Sequence, residues 1–123
     1  MGNPITDKVL TGTMGEMVLQ IRLLEYGIQS APPLKDSGND LIAIKGNIVR
    51  FIQVKTSKFR VSKPSQNRLP EIFHLIALVK LKYSKEGSLL LDESDIFMYE
   101  KDCGFEGKMK LDSALADKLW RDI

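Results

Sequence analysis

The stretch Asp40-Leu-Ile-Ala-Ile44, Lys45-Gly46-Asn47, Ile48-Val-Arg-Phe-Ile-Gln-Val-Lys55 holds two β-rich runs joined by a glycine–asparagine turn. That pattern predicts a β-hairpin with a tight loop. The twofold periodicity of a strand places Arg50, Ile52 and Val54 on one face and Val49, Phe51, Gln53 and Lys55 on the other. A hairpin turning at Gly46 and Asn47 brings the start of its first strand to the end of its second. Asp40 therefore falls at the same end of the sheet as Gln53 and Lys55.

Upstream, Val9, Met14, Met17, Val18, Ile21 and Leu24 recur at helical spacing and predict a helix over Thr6 to Tyr26, with Gly27 as its stop signal. Gly12 and Gly15 weaken its first half and favour a late start or a bend there. Glu16 lies on this helix, with Gln20 one turn further along the same side. Ile28 to Ala31 reads as a short strand closed by Pro32 and Pro33. Downstream, Ser57 to Pro70 turns polar and is broken by Pro64 and Pro70, which predicts a loop. Ile72 to Leu81 and Asp95 to Glu100 read as strands separated by a turn at Lys85-Glu86-Gly87. Asp112 to Trp120 reads as a helix with a capping aspartate. The order of elements predicts a single α/β domain over 1–123, with a central mixed five-stranded sheet flanked by helices.

Composition narrows the function. The 123 residues are 43% apolar and 28% charged, a globular balance that argues against disorder. No apolar run reaches a membrane span and no basic-then-apolar leader opens the chain, so the expectation is a cytoplasmic protein with no membrane partner. One cysteine, Cys103, and one histidine, His74, exclude an internal disulfide and a Cys/His metal centre. A metal ion here must be a hard one held by oxygen ligands. The net charge is +2, yet five basic residues and no acidic ones fall between Val54 and Pro70: Lys55, Lys58, Arg60, Lys63 and Arg68. Such a block is an ordinary solvated loop in most proteins, and an electrostatic footprint for a polyanion in some.

A carboxylate, an amide or backbone carbonyl and a second carboxylate suit Mg²⁺ or Mn²⁺. Such an ion neutralises a phosphate oxygen and lowers the pKa of its bound water. A neighbouring lysine orients that water or stabilises developing negative charge. Asp40, Gln53, Lys55 and Glu16 supply these groups. Each also has a plain reading: a turn aspartate, a commonplace strand end, and a solvated helix glutamate. The order and spacing of all of them together carry the inference. His74 reads as a satisfied, half-buried histidine, and Cys103 as a turn residue without a base. No phosphate-binding loop is present, since Gly12-Thr-Met-Gly15 lacks the following Lys-Ser or Lys-Thr.

The segments Gly12-Thr-Met-Gly-Glu16, Ser37-Gly-Asn-Asp40-Leu-Ile-Ala-Ile44 and Ile52-Gln-Val-Lys55-Thr-Ser57 resemble the motifs of the PD-(D/E)XK nuclease superfamily, whose restriction endonuclease-like fold is shared by many restriction enzymes and archaeal Holliday-junction resolvases. The resemblance covers about the first half of the chain. It implies a metal-dependent DNA endonuclease, a phosphodiester hydrolase with Mg²⁺ or Mn²⁺ as cofactor. It assigns Asp40 as the principal metal ligand, with Gln53, the Val54 carbonyl and Glu16 completing the set and Lys55 as catalytic base or water-positioning group. Two departures stand out: Gln53 occupies the usual place of a second acid and removes one negative charge, and the helix usual after the lysine strand is short or absent. On this reading Lys58, Arg60, Lys63 and Arg68 follow a DNA backbone leaving the site. Phe59 is either an aromatic contact or a loop anchor. A chain this small has little surface for wrapping a duplex, which predicts a homodimer or recruitment by a larger partner. The alternatives are a catalytically inactive nuclease-fold module that binds DNA or protein, and an interaction module that docks an acidic protein.

Overall fold

The computed structural model describes residues 7–34, 40–65, 69–70 and 72–121. Thr6, Ser37 and Arg68, named above, lie outside the described residues. Helix α1 spans Asp7–Glu25 and leads into strand β1, Gln29–Ala31. The hairpin is β2, Leu41–Lys45, and β3, Ile48–Ser57. Then follow β4, Leu75–Lys80; β5, Asp95–Glu100; β6, Met109–Lys110; and helix α2, Ser113–Leu119. The strands form one sheet in the order β1-β2-β3-β4-β5-β6. All neighbours are antiparallel except β3 and β4, which run parallel. The sheet is thus mixed, as expected, but has six strands rather than five. The sixth is a two-residue edge strand pairing Phe97 with Lys110 and Met98 with Met109. A run that short carries no periodicity from which a strand can be read.

Local chemistry explains the element ends. Gly27 takes a φ of 78°. There the Ile28 amide donates to the Leu23 carbonyl and the Gly27 amide to that of Leu24, each at 3.0 Å. This is a Schellman closure of α1. In the β2–β3 turn Gly46 has a φ of 61°, which a glycine adopts freely at the first position of a two-residue hairpin loop. The Asp112 side chain caps α2 by accepting from the Leu115 amide at 2.8 Å. At the other end Arg50 donates to the Leu119 carbonyl at 2.9 Å and to that of Arg121 at 3.0 Å, satisfying carbonyls the helix leaves open.

Both helices pack on one face of the sheet. Val18, Leu19 and Leu23 of α1 and Leu115, Ala116, Leu119 and Trp120 of the α2 region share a core with Leu41, Ala43, Ile52, Leu75, Ala77 and Met98. The opposite face has a smaller cluster, Phe73, Ile76, Leu78 and Tyr99, onto which Val61 and Leu69 of the β3–β4 connection fold. Among the described residues of that connection there is no helix. Its apolar side chains cover the far side of the sheet in place of one.

Two expectations about α1 need correction. The helix runs unbroken through Gly12 and Gly15, and of the six apolar positions that announced it only Val18 is buried, with Met14 packed partly against the core. Gly15, Val18, Leu19 and Leu23 face the sheet, whereas Val9, Met17, Ile21 and Leu24 are exposed. Gly15 sets this rotation, because an ideal Cβ on it would lie 1.8 Å from Thr56 Oγ1. The helix therefore approaches β3 through its glycine.

Candidate active site

The register of the hairpin fixes the first contacts of the site. Leu41 pairs with Ile52, so Asp40 enters the sheet opposite Gln53. The Asp40 amide donates to the Ile52 carbonyl at 3.1 Å, and Asp40 Oδ2 accepts from the Val54 amide at 2.8 Å. The aspartate is thereby clamped at backbone and side chain to the strand that carries Gln53, Val54 and Lys55. A carboxylate held this way has little rotational freedom left to lose on binding a ligand.

Helix α1 brings the second carboxylate. Glu16, Asp40, Val54, Lys55 and Lys58 line a single cleft of about 510 Å³. The Glu16 carboxyl is held above the usual carboxylate range, first by burial and then by the nearby Asp40 charge. The two acids are thus close enough to sense each other. Strand alternation turns Gln53 to the face opposite Val54, where it is only 9% exposed. It lines an adjoining cleft of about 420 Å³ with Lys63, Pro64 and Leu69, and Val54 and Lys55 border both clefts. The structure therefore gathers Glu16, Asp40, Val54 and Lys55 around one cleft and sets Gln53 on the adjoining one, with Val54 and Lys55 common to both. Among the basic candidates, Lys58 reaches the carboxylate cleft and Lys63 the glutamine cleft. Arg60 is exposed on the turn that follows β3.

The sequence reading missed Lys8, which lines the carboxylate cleft with Gly12 and Glu16. Positions 8, 12 and 16 recur at intervals of four and so share one helix face, a signal present in the sequence. His74 is exposed rather than half-buried, and its Nδ1 accepts from the Phe51 amide at 2.8 Å. It borders a different hollow, with Arg50, Glu100 and Lys101. Cys103 is exposed, its sulfur 3.7 Å from Glu100 Oε2, and it has no place in either cleft.

The raised Glu16 pKa has a definite consequence for stability. In the unfolded chain Glu16 ionises at its ordinary value; in the fold, ionisation is opposed by burial and by Asp40. Below the unfolded value the group is protonated in both states and costs nothing. Above the folded value it is charged in both states, and the fold bears the whole penalty. Glu16→Gln is therefore expected to raise the melting temperature of the metal-free protein at neutral pH. The gain should shrink to nothing as the pH falls below the carboxylate range. Thermal scans of both proteins in a chelator across that pH range check it.

Two carboxylates that destabilise each other's charge fit a hard divalent cation, whose charge would remove that repulsion. Among the described residues, however, no three His, Cys, Asp or Glu side chains converge. A cation here would draw on the amide or backbone oxygens of β3 as well as on the two acids.

No protein-family profile matches the sequence, and no curated protein matches it. Among solved structures the chain is similar to a bacterial homing endonuclease, I-Ssp6803I, with a TM-score of 0.55 and 21% sequence identity. The match covers 90% of this chain and 76% of that one. At that identity the likeness is one of fold, and it extends over nearly all of the α/β architecture described above. Among the described residues, no helix is long and apolar enough to cross a membrane.

Proposed function

We propose that the chain is a metal-dependent deoxyribonuclease of the PD-(D/E)XK type that hydrolyses phosphodiester bonds in DNA. The observation that carries this reading is the shared cleft of Glu16, Asp40, Val54 and Lys55. It sits on a fold similar to that of an enzyme named as a homing endonuclease. Asp40, Glu16, the Val54 carbonyl and the Gln53 amide would hold Mg²⁺ or Mn²⁺. Bound there, the ion supplies Lewis-acid neutralisation of a phosphate oxygen and a water of lowered pKa. The chain's own residues do the rest. Asp40, fixed by the Val54 amide, keeps its carboxylate aimed at the cleft. Lys55, exposed on the rim common to both clefts, positions the attacking water and opposes the negative charge that grows on the phosphorus oxygens. Lys8, Lys58, Arg60 and Lys63 supply phosphate contacts on either side, which give salt-dependent, largely sequence-independent affinity.

A second reading, a catalytically inactive module that binds DNA or a protein, is favoured by the absence of a third convergent acid among the described residues. One assay separates the two. Duplex, junction and single-stranded DNA are incubated with Mg²⁺ and then Mn²⁺, with Asp40→Asn as control. The asparagine keeps an oxygen to accept from the Val54 amide but removes the charge. Wild-type cleavage that falls by at least about a hundredfold in Asp40→Asn, at unchanged stability, is the expected result. DNA binding with no cleavage in any metal would establish the inactive module instead.

A further inference from the structure

Phe59 is 88% exposed, while every other phenylalanine, tyrosine and tryptophan is buried or partly buried. It does not anchor its loop. The turn that carries it is held without it: the Ser57 carbonyl accepts from the Leu81 amide at 2.8 Å, and the Ser57 hydroxyl donates to the Arg60 carbonyl. Lys58 is steadied as well, with its ammonium 5.6 Å from the centre of the Tyr83 ring. The fold therefore presents an aromatic ring at the tip of a fastened turn and leaves most of it in solvent.

The place of that ring is specific. Phe59 lines the same cleft as Glu16, Asp40, Lys55 and Lys58, four residues beyond the lysine that borders both clefts. It is the aromatic member of a lining that also contains Lys8, Lys55 and Lys58. A flat apolar face beside cations matches one kind of ligand well. A nucleotide carries a phosphate for the lysines and, one sugar away, a planar base with a π-face. An acidic peptide would use the cations and leave the ring in water.

We infer that Phe59 stacks on a nucleobase of the strand lying in the cleft and thereby selects DNA whose base stack is already interrupted near the bond to be cut. The inference rests on the proposed DNA-cleaving function and narrows its substrate class. In an intact duplex, every base face is covered by its neighbours, and exposing one for the ring costs unstacking energy. At an unpaired base, gap or branch that cost has already been met, so the ring contributes its full stacking there.

The test compares wild type, Phe59→Ala and Phe59→Trp on two fluorescein-labelled duplexes of the same sequence, one fully paired and one with a single unpaired base. Binding is measured in a chelator over a range of salt concentrations. Wild type is expected to favour the interrupted duplex. Phe59→Ala should lose about tenfold in affinity for it, and with that the preference, while the slope of log affinity against log salt stays unchanged. Lys58→Ala should instead lower that slope by about 0.7–0.9 and keep the preference. The indole introduced by Phe59→Trp should be quenched in the complex, and it can be read separately because the native Trp120 is only 4% exposed. Unchanged affinity and preference in Phe59→Ala, or an unquenched indole in the saturated complex, would overturn the stacking role alone. A wild type that binds neither duplex would bring down the nuclease reading and this inference with it.

Discussion

Lys55→Ala is expected to reduce DNA cleavage by about a thousandfold while leaving the fold intact and most DNA affinity in place. The reasoning starts from where the side chain stands. Lys55 is exposed near the end of β3, and its backbone is secured by pairing with Leu78 on β4 whatever side chain it carries. Truncation removes no core contact, so the melting temperature should move by no more than a surface substitution normally causes, within about 0.5 kcal/mol. Binding loses one cation of several, which lowers the salt slope by about one. Cleavage loses the group that borders both clefts and, in the proposed mechanism, positions the attacking water. Lys55→Arg separates the two roles proposed for it. The guanidinium retains positive charge but does not release a proton in proteins. Activity restored by arginine would make the contribution electrostatic, whereas continued silence would assign Lys55 to positioning or deprotonating the water. Full activity in Lys55→Ala would remove the mechanism.

The parts of this site that were legible in the sequence are those fixed by local geometry. A two-residue turn determines the hairpin register, and the register alone puts Asp40 opposite Gln53. The hydrogen bond from the Val54 amide to Asp40 then follows from the pairing. Strand β5 and the Asp112 cap were legible for the same reason, because each is a decision made within a few residues. What escaped depends on contacts distant in sequence. The apolar positions of α1 run around much of the helix, so periodicity established a helix without saying which side it buries. The β3–β4 crossover covers its face with Val61, Leu69 and Phe73, and nothing in a polar, proline-broken segment announces that packing. The alternation that sends Gln53 and Val54 to opposite faces was legible, but its consequence was not. Only the position of α1 over the Val54 face shows that the helix carboxylate shares a cleft with Asp40 while Gln53 lines the adjoining one.

That position of α1 rests on one residue, and Gly15→Ala is expected to be among the most damaging single substitutions outside the cleft. An ideal Cβ at Gly15 would lie 1.8 Å from Thr56 Oγ1, 2.5 Å from Cγ2 and 2.6 Å from Cβ. Rotating the threonine clears the first two atoms and not the third, so a backbone must move. Strand β3 resists moving, because its Thr56 stretch is paired with Val79 and its neighbours on β4. The helix must lift instead, drawing Val18, Leu19 and Leu23 out of their packing. Overpacking of this kind costs about 1–3 kcal/mol or more, against which the better helix propensity of alanine returns at most about 1 kcal/mol. Gly12→Ala is the matched control: a Cβ there meets nothing within 4 Å, so the same gain in propensity should appear as a small increase in stability. Opposite signs for two identical substitutions three residues apart, read from denaturation midpoints, would establish that the helix is seated through Gly15. The effect should also reach the chemistry, because Glu16 is the next residue along and its carboxyl moves with the helix. If Gly15→Ala proteins that remain folded still cleave DNA at the wild-type rate, the placement of Glu16 is not needed for the reaction. A deficit in cleavage larger than the unfolded fraction explains would show that the close approach of α1 to β3 assembles the site as well as the core.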